Sequence, residues 1–363
     1  MGVVGGCIMG ERIKTIRFNK IEPGMRIAKN LEQNGRILLK QDILITDQII
    51  TKLKKMYYIE SLDVYDNETV EKQVSIEDKR QAELSRIDED FKEISSKLQN
   101  TFRQIASEYE TSMNEIREFS QKIQNELKPG SIVIKNIVLY GSGEDSIYRH
   151  GVNVAALSAL LGKWIGLEES KIKLLVYSAI LHDIGKTKIE TEVLKKDTAL
   201  TKSEFNIIKT HTSAGYNIIK GITFLDKSVS YGVLMHHERV DGSGYPLGLK
   251  GEGIHPFAKI IAIADVFDAI NSDRGYKDKK LPFEALQIVK TEGMGKLDYE
   301  YVKTFLEHIV GYYTGEEVLL NTDEKCKIIQ MNVNNLEKPL VMRDGEFIDL
   351  AKEKHLYIKE MLL

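Results

Sequence analysis

The sequence predicts a mainly α-helical protein with a small mixed α/β segment at its N-terminal end and a strand-containing segment at its C-terminal end. Three observations predict this class: apolar residues recur at helical spacing over 76–128, helical patterns fill 140–313, and short alternating stretches with turn residues lie on either side. These changes of pattern divide the chain into four predicted domains or segments: 11–68, 69–130, 135–315 and 316–363.

Composition excludes several classes of protein. The 363 residues carry 51 Lys+Arg against 54 Asp+Glu, with 42% hydrophobic residues, so neither disorder nor a nucleic-acid binder driven by bulk positive charge is indicated. No apolar run approaches the ~18 residues of a membrane span, and no leader pattern opens the chain. Cys7 and Cys326 give no disulfide framework. We therefore expect a cytoplasmic chain with no membrane insertion and no nucleic acid polymer as partner.

The first predicted domain, 11–68, carries no cluster suited to catalysis. Asn34-Gly35 is a short hairpin signal between two apolar stretches, and Thr46-Asp47 is an N-cap pair before the helical pattern QIITKLKKM. SLDVYD then alternates as a strand does. A scaffold or sensing role is the simplest interpretation.

The second segment, 69–130, is predicted to hold one long linker helix. Apolar residues fall three or four positions apart over 76–128, with an extra step of four at Leu98→Phe102 and at Tyr109→Met113, and Pro129-Gly130 ends the run. At 1.5 Å per residue this is a helix of about 75 Å. Such a stripe of apolar residues must be buried. It packs either in a dimeric coiled coil, which would make the protein a homodimer through this helix, or against the helical region 135–315.

The last segment, 316–363, alternates in VLLNTDEKCKIIQMNV and PLVMRDGEFIDL. Asp344-Gly345 is a hairpin turn sequence, so this segment is predicted to contain strands.

The informative residues are histidines. Five of the eight lie between 150 and 237, each within or at the end of an apolar helical pattern, and two aspartates share this setting. A buried polar group needs a partner, and so many on several helices are hard to satisfy pairwise, so metal binding is the simpler explanation. The residues concerned are His150, His182, Asp183, His211, His236, His237 and Asp265.

Imidazole and carboxylate donors without thiolate select the metal. They suit iron or manganese, with zinc as an alternative, in an open catalytic site. Adjacent His182 and Asp183 point about 100° apart on a helix, so a pair of metals is addressed if Asp183 bridges them. Two divalent ions sharing a carboxylate and a hydroxide are an arrangement that hydrolyses phosphoesters, with the bridging hydroxide as nucleophile. Lys186 lies on the same helix face and would bring positive charge to the scissile phosphate.

A glycine-rich loop follows the paired histidines in HHERVDGSGYPLGLKG. Asp241-Gly242-Ser243-Gly244 is a turn sequence, and Tyr245 offers a flat face on which a purine base can stack.

The blocks HDIGK, K-T-H, HHE-x-x-DGSGYP and IAIADVFDA, in this order over roughly 140–280, resemble the HD-GYP family of HD-domain metal-dependent phosphohydrolases. The defining residues stand here as His182-Asp183 and Gly244-Tyr245-Pro246. The resemblance implies an all-helical HD-domain bundle and the activity of many members, hydrolysis of cyclic di-GMP to linear pGpG or onward to GMP.

The resemblance also implies residue roles. Asp183 and Lys186 would be catalytic, and the five histidines with Asp183 and Asp265 would ligate the metals. Asp268 would orient a ligating histidine. Substrate contacts would come from Lys186, Gly244, Tyr245, Pro246, Arg274 and Lys277, whereas His255, His308 and His355 match no ligand position.

One departure concerns the number of metals. Members with three metals carry a glutamate four residues before the first histidine, where this chain has Ser146. Serine is a poor ligand for a hard divalent cation, so two metals are predicted. Two-metal sites in the family are associated with stopping at pGpG, so the resemblance implies pGpG as the main product.

Two alternatives stay open. The sequence also fits an HD hydrolase of another cyclic dinucleotide, because the sequence does not distinguish hybrid substrates. It also fits a catalytically weak receptor of cyclic dinucleotides, although no predicted ligand and no GYP residue is missing.

Overall fold

The computed structural model describes residues 13–33, 36–46, 49–50, 53–54, 59–65, 70–108, 113–126, 130–142, 146–194, 196, 198–223, 225–272 and 282–362. The chain divides into two compact units, one formed by 1–79 together with 310–363 and the other by 80–309. The predicted mainly α class is confirmed, and the strands of the described residues lie in the first unit. The division of the chain into the four predicted domains or segments stays a prediction.

The N-terminal part of the first unit contains four short strands: β1 (Ile13–Arg17), β2 (Leu31–Gln33), β3 (Arg36–Leu39) and β4 (Ser61–Tyr65). β1 pairs with β4 and β2 with β3, both antiparallel. The predicted hairpin is therefore present, although its turn residues Asn34 and Gly35 lie outside the described residues. Thr46 accepts a hydrogen bond from the Ile49 N–H, as an N-cap residue does.

The C-terminal part of the first unit is an antiparallel five-stranded sheet of order β8-β7-β6-β5-β9. Its strands are β5 (Glu317–Leu320), β6 (Lys325–Gln330), β7 (Leu340–Arg343), β8 (Glu346–Asp349) and β9 (Ile358–Leu362). Asp344 and Gly345 both have positive φ, 48° and 85°, as a tight hairpin turn requires, so the predicted turn is confirmed.

The two parts of the first unit share one core. Ile27, Leu39 and Ile45 are buried in the same apolar cluster as Ile329 of β6, and Leu340 of β7 packs against it. Burial of apolar surface is the main stabilising term in small folds, so the two ends of the chain stabilise each other.

The prediction of one helix over 76–128 is wrong. The chain forms two helices, α1 (Val70–Glu108) and α2 (Met113–Glu126). Lys122 Nζ lies 2.6 Å from Glu93 Oε2 and 2.7 Å from Asp90 Oδ1, whereas in one straight helix residues 93 and 122 would stand about 43 Å apart. α2 therefore runs antiparallel to α1.

The apolar residues keep their spacing of three or four positions where the chain changes direction. The periodicity alone therefore does not reveal that the chain reverses. The overlooked signal is Thr111-Ser112 before Met113, since these residue types favour helix N-caps. The stripe is buried within the chain, which is the second of the two predicted alternatives and removes the basis for a homodimer through this helix. Its buried members are Leu84, Ile87, Phe91, Ile94, Leu98, Phe102, Ile105, Ile116, Phe119 and Ile123.

The rest of the second unit is a bundle of nine further helices within the described ranges. They are α3 (Gly130–Tyr140), α4 (Ser146–Trp164), α5 (Glu169–Leu181), α6 (Thr191–Leu194), α7 (Lys202–Ile219), α8 (Lys227–Met235), α9 (Pro256–Ser272), α10 (Pro282–Gly293) and α11 (Tyr299–Ile309). α5 packs against α4 and α8, and α9 packs against α4 and α8, so these four helices surround one interior. None of the described helices is long and apolar enough to cross a membrane.

Candidate metal centre

His182 and Asp183 lie where a helix ends. His182 is the residue that follows α5, and Asp183 precedes a 3-10 turn over Ile184–Lys188. The predicted placement of both on one α-helix is therefore wrong, because the backbone tightens after Leu181. Lys186 still faces Asp183, since a 3-10 turn repeats every three residues, and its Nζ donates to Asp183 Oδ2 at 2.6 Å.

Gly185 lets this turn approach α7. A Cβ at Gly185 would lie 1.9 Å from the carbonyl oxygen of His211 and 2.6 Å from the backbone nitrogen of Gly215. Only a residue without a Cβ permits two backbones to come this close. The contact places His211 Nε2 3.4 Å from Asp183 Oδ1.

His236 and His237 follow the last residue of α8, and the glycine-rich loop folds back over them. A Cβ at Gly244 would lie 2.3 Å from the Arg239 backbone nitrogen, so the GYP glycine is required for close packing. The Tyr245 N–H donates to the His237 carbonyl at 3.2 Å, and the Tyr245 ring stacks on His237 with 4.7 Å between ring centroids. One face of the predicted stacking platform is thus covered by the histidine cluster.

Helices α4 and α9 contribute the remaining side chains of the cluster. His150 Nε2 lies 3.0 Å from Asp265 Oδ1, and His150 Nδ1 lies 2.7 Å from Asp268 Oδ2. Asp265 also lies 3.8 Å from His237, which connects this pair to the loop after α8. The structure thus brings together all seven residues of the predicted ligand set, and it places Asp268 against His150.

Three of the imidazoles have the same orientation. Nδ1 of His182, His211 and His236 lies 2.7, 2.6 and 2.8 Å from the carbonyl oxygen three residues earlier. A carbonyl only accepts, so this network assigns the ring proton to Nδ1 and leaves a lone pair on each Nε2. His211 Nε2 and His236 Nε2 face each other at 3.3 Å. Two such lone pairs repel unless a cation or proton lies between them.

These residues fit a metal site. His182 Nε2 and Asp183 Oδ1 are buried and have no hydrogen-bond partner within the described part of the chain. Two sets of three donors each offer atoms within 4.8 Å of one another, His211 with His236 and His237, and His150 with His182 and Asp183. Unpaired buried donors of imidazole and carboxylate type are what a divalent cation would satisfy.

The electrostatics favour unprotonated ligands in most of the cluster. Burial lowers the pKa of His237 to about 3 despite the nearby Asp265, and burial together with the neighbouring imidazoles lowers the pKa of His236 well below its usual range. Burial alone would raise the pKa of Asp183, but the Lys186 ammonium and His182 hold it well below normal. His150 differs, because Asp265 and Asp268 outweigh its burial and raise its pKa to about 10.

The other residues that the sequence analysis named lie in the GYP loop, outside the described residues, or elsewhere in the chain. Pro246 follows Tyr245 in the loop through a cis peptide bond. Arg274 and Lys277 lie outside the described residues, and Ser146 is the first residue of α4. Of the histidines outside the ligand set, His308 stacks on Trp164, His255 contacts Tyr231, and His355 is exposed.

Two residues near the site were not singled out from the sequence. Glu238 is buried, and its carboxylate accepts the backbone N–H groups of Leu247 and Leu249 at 2.6 and 2.9 Å, which ties the GYP loop to the histidine pair. Lys209 places its ammonium 5.2 Å from the centroid of the Tyr245 ring. The sequence contained a signal for each: Glu238 is a charged residue directly after the paired histidines, and Lys209 lies two residues before His211.

A family model described as HD domain matches residues 104–300, more than half of the 363 residues, and the chain belongs to this family. This confirms the resemblance that the His-Asp and GYP blocks indicate. Phosphohydrolases with this domain depend on metal ions, which agrees with the donor sets found here.

The curated relatives share part of their length with this chain. A cyclic di-GMP phosphodiesterase of Pseudomonas aeruginosa is 31% identical over 206 residues, which are 57% of this chain and 50% of that protein. A 3'3'-cGAMP-specific phosphodiesterase of Vibrio cholerae is 35% identical over 167 residues, 46% of this chain and 38% of that protein. The chain thus spans half or less of the length of these relatives.

Among solved structures, a protein of Bdellovibrio bacteriovorus described as an HDG"Y"P protein superposes with a TM-score of 0.51 at 18% identity. The match covers 81% of this chain and 98% of that protein. At this identity the likeness concerns the fold, and it agrees with the helical bundle described above.

Proposed function

We propose that the chain hydrolyses the 3'–5' phosphodiester of cyclic di-GMP to linear pGpG. The observation that carries the proposal is the convergence of five imidazoles and two carboxylates from α4, α5, α7, α8 and α9 on one buried centre beside the GYP loop. The curated relatives named as phosphodiesterases of cyclic dinucleotides support the same reaction.

We propose two divalent ions, iron or manganese with zinc as an alternative. The residues that would hold them are His150, His182, Asp183, His211, His236, His237 and Asp265. The two donor triplets support two ions rather than one, and Ser146, which offers no carboxylate, supports the absence of a third. Bound there, divalent ions supply an activated water at neutral pH and neutralise phosphate oxygens.

The chain's own residues would orient the substrate. Lys186 is the cation nearest Asp183 and its side chain is 25% exposed, so its ammonium is available to a phosphate oxygen at the edge of the centre. Lys209, half-buried on α7, adds a second positive charge next to Tyr245. Both charges favour an anionic, phosphate-containing ligand. Arg274 and Lys277 remain predicted substrate contacts.

The second candidate substrate is 3'3'-cGAMP, because a relative with similar identity is named for it. Both cyclic dinucleotides carry two phosphodiesters and a guanine, so the same centre accommodates either. A scaffold or sensing role for 11–68 and residence in the cytoplasm remain predictions from the sequence.

The test is turnover by metal-loaded protein kept free of oxygen. Metal-free protein loaded with Fe²⁺, Mn²⁺ or Zn²⁺ is incubated with cyclic di-GMP, 3'3'-cGAMP and cyclic di-AMP, and the products are resolved by anion-exchange chromatography. We expect pGpG from cyclic di-GMP, loss of turnover in His236→Ala, and full turnover in His355→Ala, whose exposed ring lies in the other unit. Absence of turnover with every metal and every cyclic dinucleotide would refute the proposal.

A further inference from the structure

Arg149 is a buried arginine next to the candidate ligand His150, and its guanidinium is paired on several sides. Its Nη2 lies 2.9 Å from Oδ1 of Asp88 on α1, with the two side chains 6% and 8% exposed. The same Nη2 donates to Asn136 Oδ1 at 2.7 Å, and Nη1 donates to the Asp88 carbonyl oxygen at 3.4 Å. A planar guanidinium held by this many acceptors has one orientation, because rotation would break several bonds together.

Asn153 connects Arg149 to Asp268. Its Oδ1 accepts from Arg149 Nε at 3.2 Å, and its Nδ2 donates to Asp268 Oδ1 at 2.9 Å. Since one end of an amide accepts and the other donates, these two partners fix which way the amide points. The other carboxylate oxygen of Asp268 contacts Nδ1 of His150 at 2.7 Å. A continuous chain of hydrogen bonds thus runs from α1 to the metal centre.

We propose that Asp88 is a positioning residue of the metal centre, acting on His150 through Arg149, Asn153 and Asp268. All four residues are buried, so water competes little for the hydrogen bonds between them. Partners that hold the far nitrogen of a ligating imidazole set its orientation and its affinity for the metal. Asp88 lies outside 135–315, the predicted segment that contains all seven candidate ligands, so this inference extends the site to α1. It rests on the proposed function only in taking His150 as a metal ligand.

The experiment compares Asp88→Asn with Asp90→Asn in the full chain. Asp90 is on the same helix two residues further, and its ion pairs are with Lys122 at 2.7 Å and Arg86 at 3.3 Å. Binding of Mn²⁺ to metal-free protein is followed by the EPR signal of the free ion, and thermal unfolding is recorded beside it. We expect Asp88→Asn to weaken Mn²⁺ binding about tenfold and Asp90→Asn to leave it within twofold.

A double-mutant cycle locates the effect. If Asp88 acts through Asp268, then Asp88→Asn causes no further loss of Mn²⁺ affinity in an Asp268→Asn background. Equal losses in Asp88→Asn and Asp90→Asn, a lowered melting temperature with unchanged Mn²⁺ affinity, or additive losses in the cycle would each overturn the inference.

A milder variant covers the case in which Asp88→Asn does not fold. Asn136→Ser removes one acceptor of Arg149 and leaves its ion pair intact, so a twofold to threefold weakening of Mn²⁺ binding is expected and an unchanged affinity contradicts the inference. Because the readout is metal binding, a chain that hydrolyses another substrate leaves the inference standing, and a negative result here leaves the proposed hydrolysis standing.

Discussion

Replacement of Gly185 by alanine is expected to displace His211 from the other metal-centre residues while leaving the bundle folded. The new Cβ would lie 1.9 Å from the His211 carbonyl oxygen, and real Cβ atoms do not approach other atoms closer than 3.0 Å. Either the 3-10 turn that follows Asp183 or the α7 backbone must therefore move by about 1.1 Å, the difference between these two distances.

A displacement of this size is large for a metal ligand. Ligand distances in metal sites hold within about 0.2 Å, so a shift five times larger removes His211 or Asp183 from productive geometry. We expect Mn²⁺ affinity to fall by at least tenfold and turnover of cyclic di-GMP by about a hundredfold.

The matched control is Gly151→Ala. Gly151 follows His150 in α4, and a Cβ there meets nothing closer than 3.4 Å, an ordinary contact distance. Mn²⁺ titration of metal-free protein, with thermal unfolding as the check on folding, separates the two variants. Wild-type Mn²⁺ affinity in a folded Gly185→Ala protein would refute the packing argument.

Three further outcomes are expected. Glu238→Ala removes a buried carboxylate that accepts two backbone hydrogen bonds from the loop after Pro246. We expect the free energy of unfolding in urea titrations to fall by about 3 kcal/mol. A loss below roughly 0.5 kcal/mol, the scatter of ordinary surface substitutions, would contradict this role. Lys122 and Lys97 lower the pKa of Glu93 from 4.5 to about 2, so this carboxylate contributes stability above pH 4.5 that is lost as the pH falls through about 2. The Lys122→Met variant should therefore show a weaker fall in melting temperature between these pH values, and an unchanged profile would count against the assigned pair. Lys209→Met should raise the KM for cyclic di-GMP about tenfold without changing Mn²⁺ affinity, since a charge beside Tyr245 serves the substrate and not the metal; an unchanged KM in steady-state kinetics would argue otherwise.

The clustering of the candidate metal ligands could be predicted because these donors are rare residues in recognisable blocks. His182-Asp183, the paired His236-His237 and Asp265 are all embedded in apolar helical patterns, where an unpaired imidazole or carboxylate has few alternatives to a metal. The backbone geometry around them could not be predicted in the same way. That a 3-10 turn follows Asp183 depends on the close approach of Gly185 to α7, which is a tertiary contact.

The reversal between α1 and α2 was hidden for a different reason. Periodicity reports which residues face an apolar surface and says nothing about the direction of the chain. Two antiparallel helices that bury the same stripe therefore have the pattern of one long helix when the reversal preserves the spacing, as it does between Tyr109 and Met113. The role of Asp88 depends on pairs of residues that are 61 to 118 positions apart in the sequence, which no local pattern reveals.

The shared core of the two chain ends has a consequence for biosynthesis. Strands β1 to β4 are translated before β6, yet the apolar cluster around Ile27 and Leu39 is completed only when Ile329 has been translated. Contacts between positions so far apart in the sequence form slowly, and apolar surface stays exposed until they have formed. These four strands thus complete their core only after β6 has been made, and a ribosome that stops before β6 releases a polypeptide in which their apolar surface is exposed and prone to aggregate.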